Sequence, residues 1–148
     1  MKSKKGITLL VLVITIVVMT ILLTVTVITG TDVYDNATMT KFQSEISQIE
    51  LLVNNYEKRN SGVDFQVIEL DISDFTEFQK HQFKEENIVD NVISMYIVDL
   101  QKIDAEQVSY GLGKESETDR YIYSSETKKV YYERGLQIGD NIYHRIGE

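Results

Sequence analysis

Residues 7–29 read ITLLVLVITIVVMTILLTVTVIT, 23 positions holding 17 aliphatic or methionine side chains and six threonines. As a helix this run covers roughly 35 Å, against a bilayer hydrocarbon core of about 30 Å. Its many Val, Ile and Thr residues would favour a strand in water, but lipid offers an open strand no backbone partners, and threonine can return its hydroxyl to its own helix. The run therefore predicts a membrane-spanning helix. Lys2, Lys4 and Lys5 precede it and all 23 acidic residues follow it. That asymmetry predicts a cytoplasmic N-terminus and an exported remainder.

Outward from this run, the 148 residues suffice for one compact body beyond the anchor. The body is acidic, so it repels phosphate and is a poor candidate for direct nucleic-acid contact. With no cysteine in the chain, neither a disulfide framework nor a lipid-modified cysteine can hold it. With no proline, no ring interrupts the helix that leaves the apolar run. From Asp32 to Asn60, Met39, Phe42, Ile46, Ile49, Val53 and Tyr56 recur at spacings of three and four, with Leu52 widening the stripe. The same helix is expected to continue through Gly30, a candidate joint, and to end at Asn60-Ser61-Gly62, where Asn and Gly supply a C-terminal cap.

Ser73 or Asp74 can cap a second helix reaching about Glu86. After an apolar stretch at 93–98, the last third alternates strand and turn: Tyr121–Ser124, Val130–Arg134 and Ile142–Arg145, read as a three-stranded meander. Alternating tyrosines in such a segment (121, 123, 131, 132, 143) are expected as core and cross-strand pairs rather than as a sugar-binding surface. The fold class is α+β: a long N-terminal helix packed on a small antiparallel C-terminal sheet. Its divisions are residues 1–6, 7–30, 31–60 and 61–148.

A secretory signal peptide would have a shorter apolar core and a small-x-small cleavage site, for which Thr29-Gly30-Thr31 is a poor match. The border of the run instead reads Lys4-Lys5-Gly6-Ile7-Thr8-Leu9-Leu10. It resembles the prepilin signal of type IV pilins and pseudopilins: a short basic leader ending in Gly, then a large apolar residue, Thr and Leu. The resemblance implies cleavage after Gly6 and methylation of Ile7 by a prepilin peptidase, assembly with other pilin subunits on an inner-membrane platform, and a helix laid along a small antiparallel sheet. The C-terminal Tyr-Ile-Tyr and Val-Tyr-Tyr-Glu-Arg-Gly segments are similar to the ends of small pilin-like proteins from Gram-positive bacteria. One departure stands out. Most pilins carry a Glu at the fifth mature position, thought to meet a neighbour's N-terminal amine, where this chain has Val11. This departure points away from an abundant major subunit and towards a minor or pseudopilin-type subunit of a pilus, secretion or competence machine. The rival expectation is a single-pass, membrane-tethered extracytoplasmic binding domain that keeps its leader.

Little else in the sequence speaks for chemistry. His81 lies between Glu77 and Glu85 on one helical face, a pattern expected of a solvated, charge-paired helix, and His144 has no carboxylate or second histidine near it in sequence. Glu115, Glu117 and Asp119 alternate in a loop; some pseudopilins hold calcium in a C-terminal loop, but the spacing lacks the turn glycine and closing Glu of an EF-hand and reads as a solvated acidic loop. Asn36-Ala37-Thr38 is a glycosylation sequon of the kind chance supplies. No Gly-x-Ser-x-Gly elbow or Walker loop is present. The expectation is a structural protein, with no enzymatic activity, no metal and no cofactor.

Overall fold

The computed structural model describes residues 4–62, 64–71, 92–105 and 107–146, with residues 4–8, 24–32 and 92 described as backbone only. The expected second helix at 73–86, with His81 and its flanking glutamates, lies outside the described residues. So do Lys2 and the remainder of the leader before Lys4.

Helix α1 runs Lys4–Asn60, with no break at Gly30. Two threonines in its apolar part turn inward: the Thr15 hydroxyl donates to the Val11 and Leu12 carbonyls at 3.0 and 2.8 Å, and that of Thr20 to the Ile16 carbonyl at 2.8 Å. The C-terminus closes where the sequence places it. Ser61 and Gly62 take positive φ angles of 55° and 143°, the Gly62 amide donates to the Glu57 carbonyl, and the Asn60 side chain donates to the Tyr56 carbonyl. Lys58 and Arg59 sit in the last turn, where cations meet the negative end of the helix dipole.

By its contacts the chain divides into two units, Met1–Thr38 and Met39–Glu148. In the second unit a four-stranded antiparallel sheet of order β1-β2-β3-β4 is built from β1 (Val67–Asp71), β2 (Val92–Ile97), β3 (Tyr121–Ser124) and β4 (Lys129–Tyr132). A separate two-stranded sheet pairs β5 (Leu136–Ile138) with β6 (Asn141–Tyr143). The pleat sends alternate residues to opposite faces. Tyr121, Tyr123, Val130 and Tyr132 face α1 and pack with Phe42, Ile46, Ile49 and Val53, all at most 2% exposed. Burying each of those four helix side chains contributes roughly 1.5–3 kcal/mol. On the opposite face Leu70, Ile93, Met95, Ile122 and Tyr131 form a second buried cluster. Register joins the layers: Tyr121 pairs with Tyr132 and Tyr123 with Val130 on the helix face, while Ile122 pairs with Tyr131 behind.

The expected meander needs correction at its third strand. β6 pairs with β5 and not with β4. Gly135, at φ 78°, turns the chain out of the main sheet immediately after β4, and any side chain there would collide with Ile142. The chain then makes its own hairpin through Gly139-Asp140 and returns at His144 and Arg145 to lie along the outer edge of β4. There the Val130 amide donates to Glu50 Oε2 at 3.1 Å, and the Val130 carbonyl accepts from Arg145 Nη1 at 3.1 Å. Glu50 and Arg145 are themselves an ion pair. Two residues on, the Tyr132 amide donates to the His144 carbonyl and His144 Nδ1 lies 2.8 Å from the Tyr132 carbonyl oxygen. The edge backbone of β4 is thus occupied by side chains and the C-terminal segment rather than by a neighbouring strand. β1 and β5 are strands the sequence reading did not anticipate.

Candidate functional site

Two regions stand out, one in each unit. In the first, every large aliphatic side chain described between Leu9 and Leu23 is about half to three-quarters exposed, Val11 included at 53%. An aliphatic surface that runs all round a helix is ordinarily covered by lipid or by other protein. The described side chains from residue 9 to residue 23 cover roughly 22 Å as a helix. Among the described residues no helix is long and apolar enough to cross a membrane. Gly6 and Ile7 lie within the helical backbone of α1, and their surroundings are not described.

The second region is a polar seam between α1 and the sheet, which the apolar stripe conceals in the sequence. Phe42, Ile46, Ile49 and Val53 are buried and Met39 and Tyr56 half-buried, as the period predicts. Flanking them on α1 are Glu45, Glu50, Asn54 and Glu57, and each reaches the sheet. Glu45, 7% exposed, accepts the Ser109 and Tyr110 amides at 2.8 and 3.0 Å and the Tyr121 hydroxyl at 2.6 Å, all on Oε1. Asn54 and Glu57 both accept from the Tyr123 hydroxyl, at 2.9 and 2.8 Å, and Glu57 also pairs with Lys128 at 2.6 Å. The lysine's hydrogen bond holds the Glu57 carboxyl below its usual range, against a smaller desolvation that raises it. Burial first, and the neighbouring carboxylate second, push the Tyr121 and Tyr123 phenols far above theirs, so both stay protonated donors. Tyr121, Tyr123, Tyr131 and Tyr132 are core as read, and Tyr143 is half-buried, paired with Leu136 across the β5–β6 hairpin. The hydroxyls of Tyr121 and Tyr123 are what the glutamates hold.

Asp119 organises the neighbouring loop. It is 4% exposed, and its carboxylate accepts the Gly111, Lys114 and Glu115 amides at 2.9, 2.9 and 3.3 Å and the Tyr132 hydroxyl at 2.8 Å. The expected solvated acidic loop is therefore corrected at Asp119, although Glu115 and Glu117 are exposed. Backbone donors converge on the anion where a calcium site would present oxygen atoms, and among the described residues no group of three or more His, Cys, Asp or Glu could hold a metal ion. Glu45 Oε1 and both carboxylate oxygens of Asp119 are engaged by donors within the fold, which suits structural acceptors. A cavity of about 410 Å³ lies against this loop, walled by Tyr110, Leu112, Lys114, Arg134, Gln137 and Ile142 among others.

His144, without signal in the sequence, is 2% exposed, and burial holds its pKa below the ordinary 6.5 against the backbone hydrogen bonds that raise it. The folded state therefore keeps His144 neutral while the unfolded chain takes up a proton below pH 6.5. Stability should fall as pH drops below 6.5, by up to about 1.4 kcal/mol per pH unit, until the folded pKa is reached. Denaturant unfolding at pH 7.0, 6.0 and 5.0 checks this. His144→Asn, whose amide can still donate to the Tyr132 carbonyl, should lose that part of the slope, and an unchanged slope would assign it elsewhere.

The chain matches no protein-family model, no curated protein and no solved structure.

Proposed function

We propose that this chain is a minor subunit of a type IV pilus-like filament, made as a prepilin, cut after Gly6 and methylated at Ile7 by a prepilin peptidase. The observation that carries the reading is α1 itself: a single helix from Lys4 to Asn60 that follows the Lys4-Lys5-Gly6-Ile7-Thr8-Leu9-Leu10 border and whose aliphatic side chains between Leu9 and Leu23 are exposed all round. In this reading residues 7–29 hold the subunit in the cytoplasmic membrane before assembly, with the C-terminal unit outside. The same surface then packs against the helices of other pilin subunits when the inner-membrane platform draws it into a filament. The internal hydrogen bonds of Thr15 and Thr20 support both stages, because they hide the hydroxyls from lipid and from apolar neighbours alike. The carboxylate seam supports the other half of the proposal, since it fixes the sheet to the helix without disulfides. Val11, where a charge would be costly in lipid, fits a subunit that does not rely on pairing with a neighbour's N-terminal amine.

Intact-mass and N-terminal peptide mass spectrometry on protein from its native membranes tests this. The expected product begins at a methylated Ile7. A chain retaining residues 1–6, in cells with an active prepilin peptidase, would overturn the proposal and favour a membrane-tethered binding domain.

A further inference from the structure

The cavity beside the Asp119 loop is lined by Leu112 and Ile142 and by four charged residues, of which Asp119 is held by amides and a hydroxyl and Glu115 by Arg134, leaving Lys114 as the unmatched charge among the four. Leu112 and Ile142 are 43% and 38% exposed at its mouth. Lys114 has no ion-pair partner among the described residues, while Arg134 pairs with the exposed Glu115. At about 410 Å³ it is within the size range of sites that take a compact organic group. Elsewhere the chain offers a matching projection: in Asp32-Val33-Tyr34-Asp35, Val33 and Tyr34 are 67% and 73% exposed on α1.

We infer that Tyr34 of one copy docks into this cavity on a second copy, with its acidic neighbour Asp35 facing Lys114. The inference rests on the filament reading and names one contact within it. A tyrosine can bury about 150–250 Å² while its hydroxyl reaches a polar wall, here the Gln137 amide, and Leu112 and Ile142 close on the ring. The charges complement each other, which sets orientation and excludes wrong partners. Because projection and cavity are different surfaces, the contact is heterologous. Each copy offers both, so the contact repeats from copy to copy into an open array unless the rotation closes it into a ring.

The absence of cysteine makes the test clean. Val33→Cys and Ser109→Cys, which leave Tyr34, Leu112 and Ile142 in place, are combined in the full-length chain, expressed in its native membrane and mildly oxidised. A ladder of dimers, trimers and higher species on a non-reducing gel is expected from the double variant only. Asp35→Lys and Lys114→Glu, each added alone, should cut the ladder about tenfold, and together they should restore it. Sheared filaments that form without a ladder would overturn this contact while leaving the filament reading intact; a double variant that stops at dimers would overturn it in favour of a symmetric pairing. Absence of both filaments and ladder would overturn contact and filament reading together.

Discussion

Replacing Glu45 with alanine is expected to lower the stability of the C-terminal unit by about 3–5 kcal/mol, a fall in melting temperature of roughly 15 °C or more. The size of the effect comes from what is left behind. One carboxylate oxygen serves the Ser109 and Tyr110 amides and the Tyr121 hydroxyl. Hydrogen bonds to a charged acceptor contribute about 1.5–3 kcal/mol each, and a donor left buried without a partner costs about 1–3 kcal/mol. The terms do not add in full, because loop 109–110 can move towards water. Tyr121→Phe removes one donor and keeps the acceptor, and should cost only about 1 kcal/mol. Thermal and urea unfolding of both single variants and the double variant gives the coupling. A loss below about 1 kcal/mol for Glu45→Ala would mean that the seam is solvated and that the apolar stripe alone holds helix to sheet.

Asp119→Ala should cost about 3–4 kcal/mol, and Asp119→Asn about 2–3 kcal/mol despite its near-identical shape. The asparagine result is the more telling. Both carboxylate oxygens face donors, the Gly111 amide and Tyr132 hydroxyl on one side and the Lys114 and Glu115 amides on the other. Turned one way, the asparagine's NH₂ meets the Lys114 and Glu115 amides and no acceptor; turned the other, it meets the Gly111 amide and only a rotated Tyr132 hydroxyl can accept, so at least one amide donor loses its partner either way. Hydrogen exchange should show protection lost at residues 111, 114 and 115 while the ladder between β3 and β4 keeps its own. Calcium should leave the wild-type melting temperature unmoved. A rise of more than about 2 °C in millimolar calcium would instead identify the loop as a cation site.

The parts of this fold that a single sequence could reveal are those governed by a period. Phe42, Ile46, Ile49 and Val53 repeat with the helical turn, and Tyr121–Ser124 was read at its observed bounds because tyrosine and isoleucine alternate between two flanking turns. β1 was hidden because it shows only two inward residues, Ile68 and Leu70, between acidic neighbours. β5 is three residues long, too short for any alternation to register. The polar seam was missed for a different reason. Glutamates beside an apolar stripe ordinarily point to water, and nothing in helical spacing says that a sheet lies over them. The signal was in the partner strands, since tyrosine used where phenylalanine would pack equally well brings a hydroxyl that must find an acceptor. Acceptors at positions 45, 54 and 57 of one helix supply them for Tyr121 and Tyr123. Asp119 could not be told from its neighbours Glu115 and Glu117 until the backbone had folded round it.

The closed margin of β4 has a consequence for life at high local concentration. A bare strand edge is a template that accepts almost any extended peptide, and copies held side by side in a membrane or an array would present it to one another continually. Here a newcomer would have to displace the Glu50–Arg145 pair and the backbone of His144 before gaining a hydrogen bond to Val130 or Tyr132. Promiscuous recruitment into amyloid-like stacks is thereby disfavoured along this margin, and a partner meeting it would face the shape and charge of side chains rather than a bare backbone.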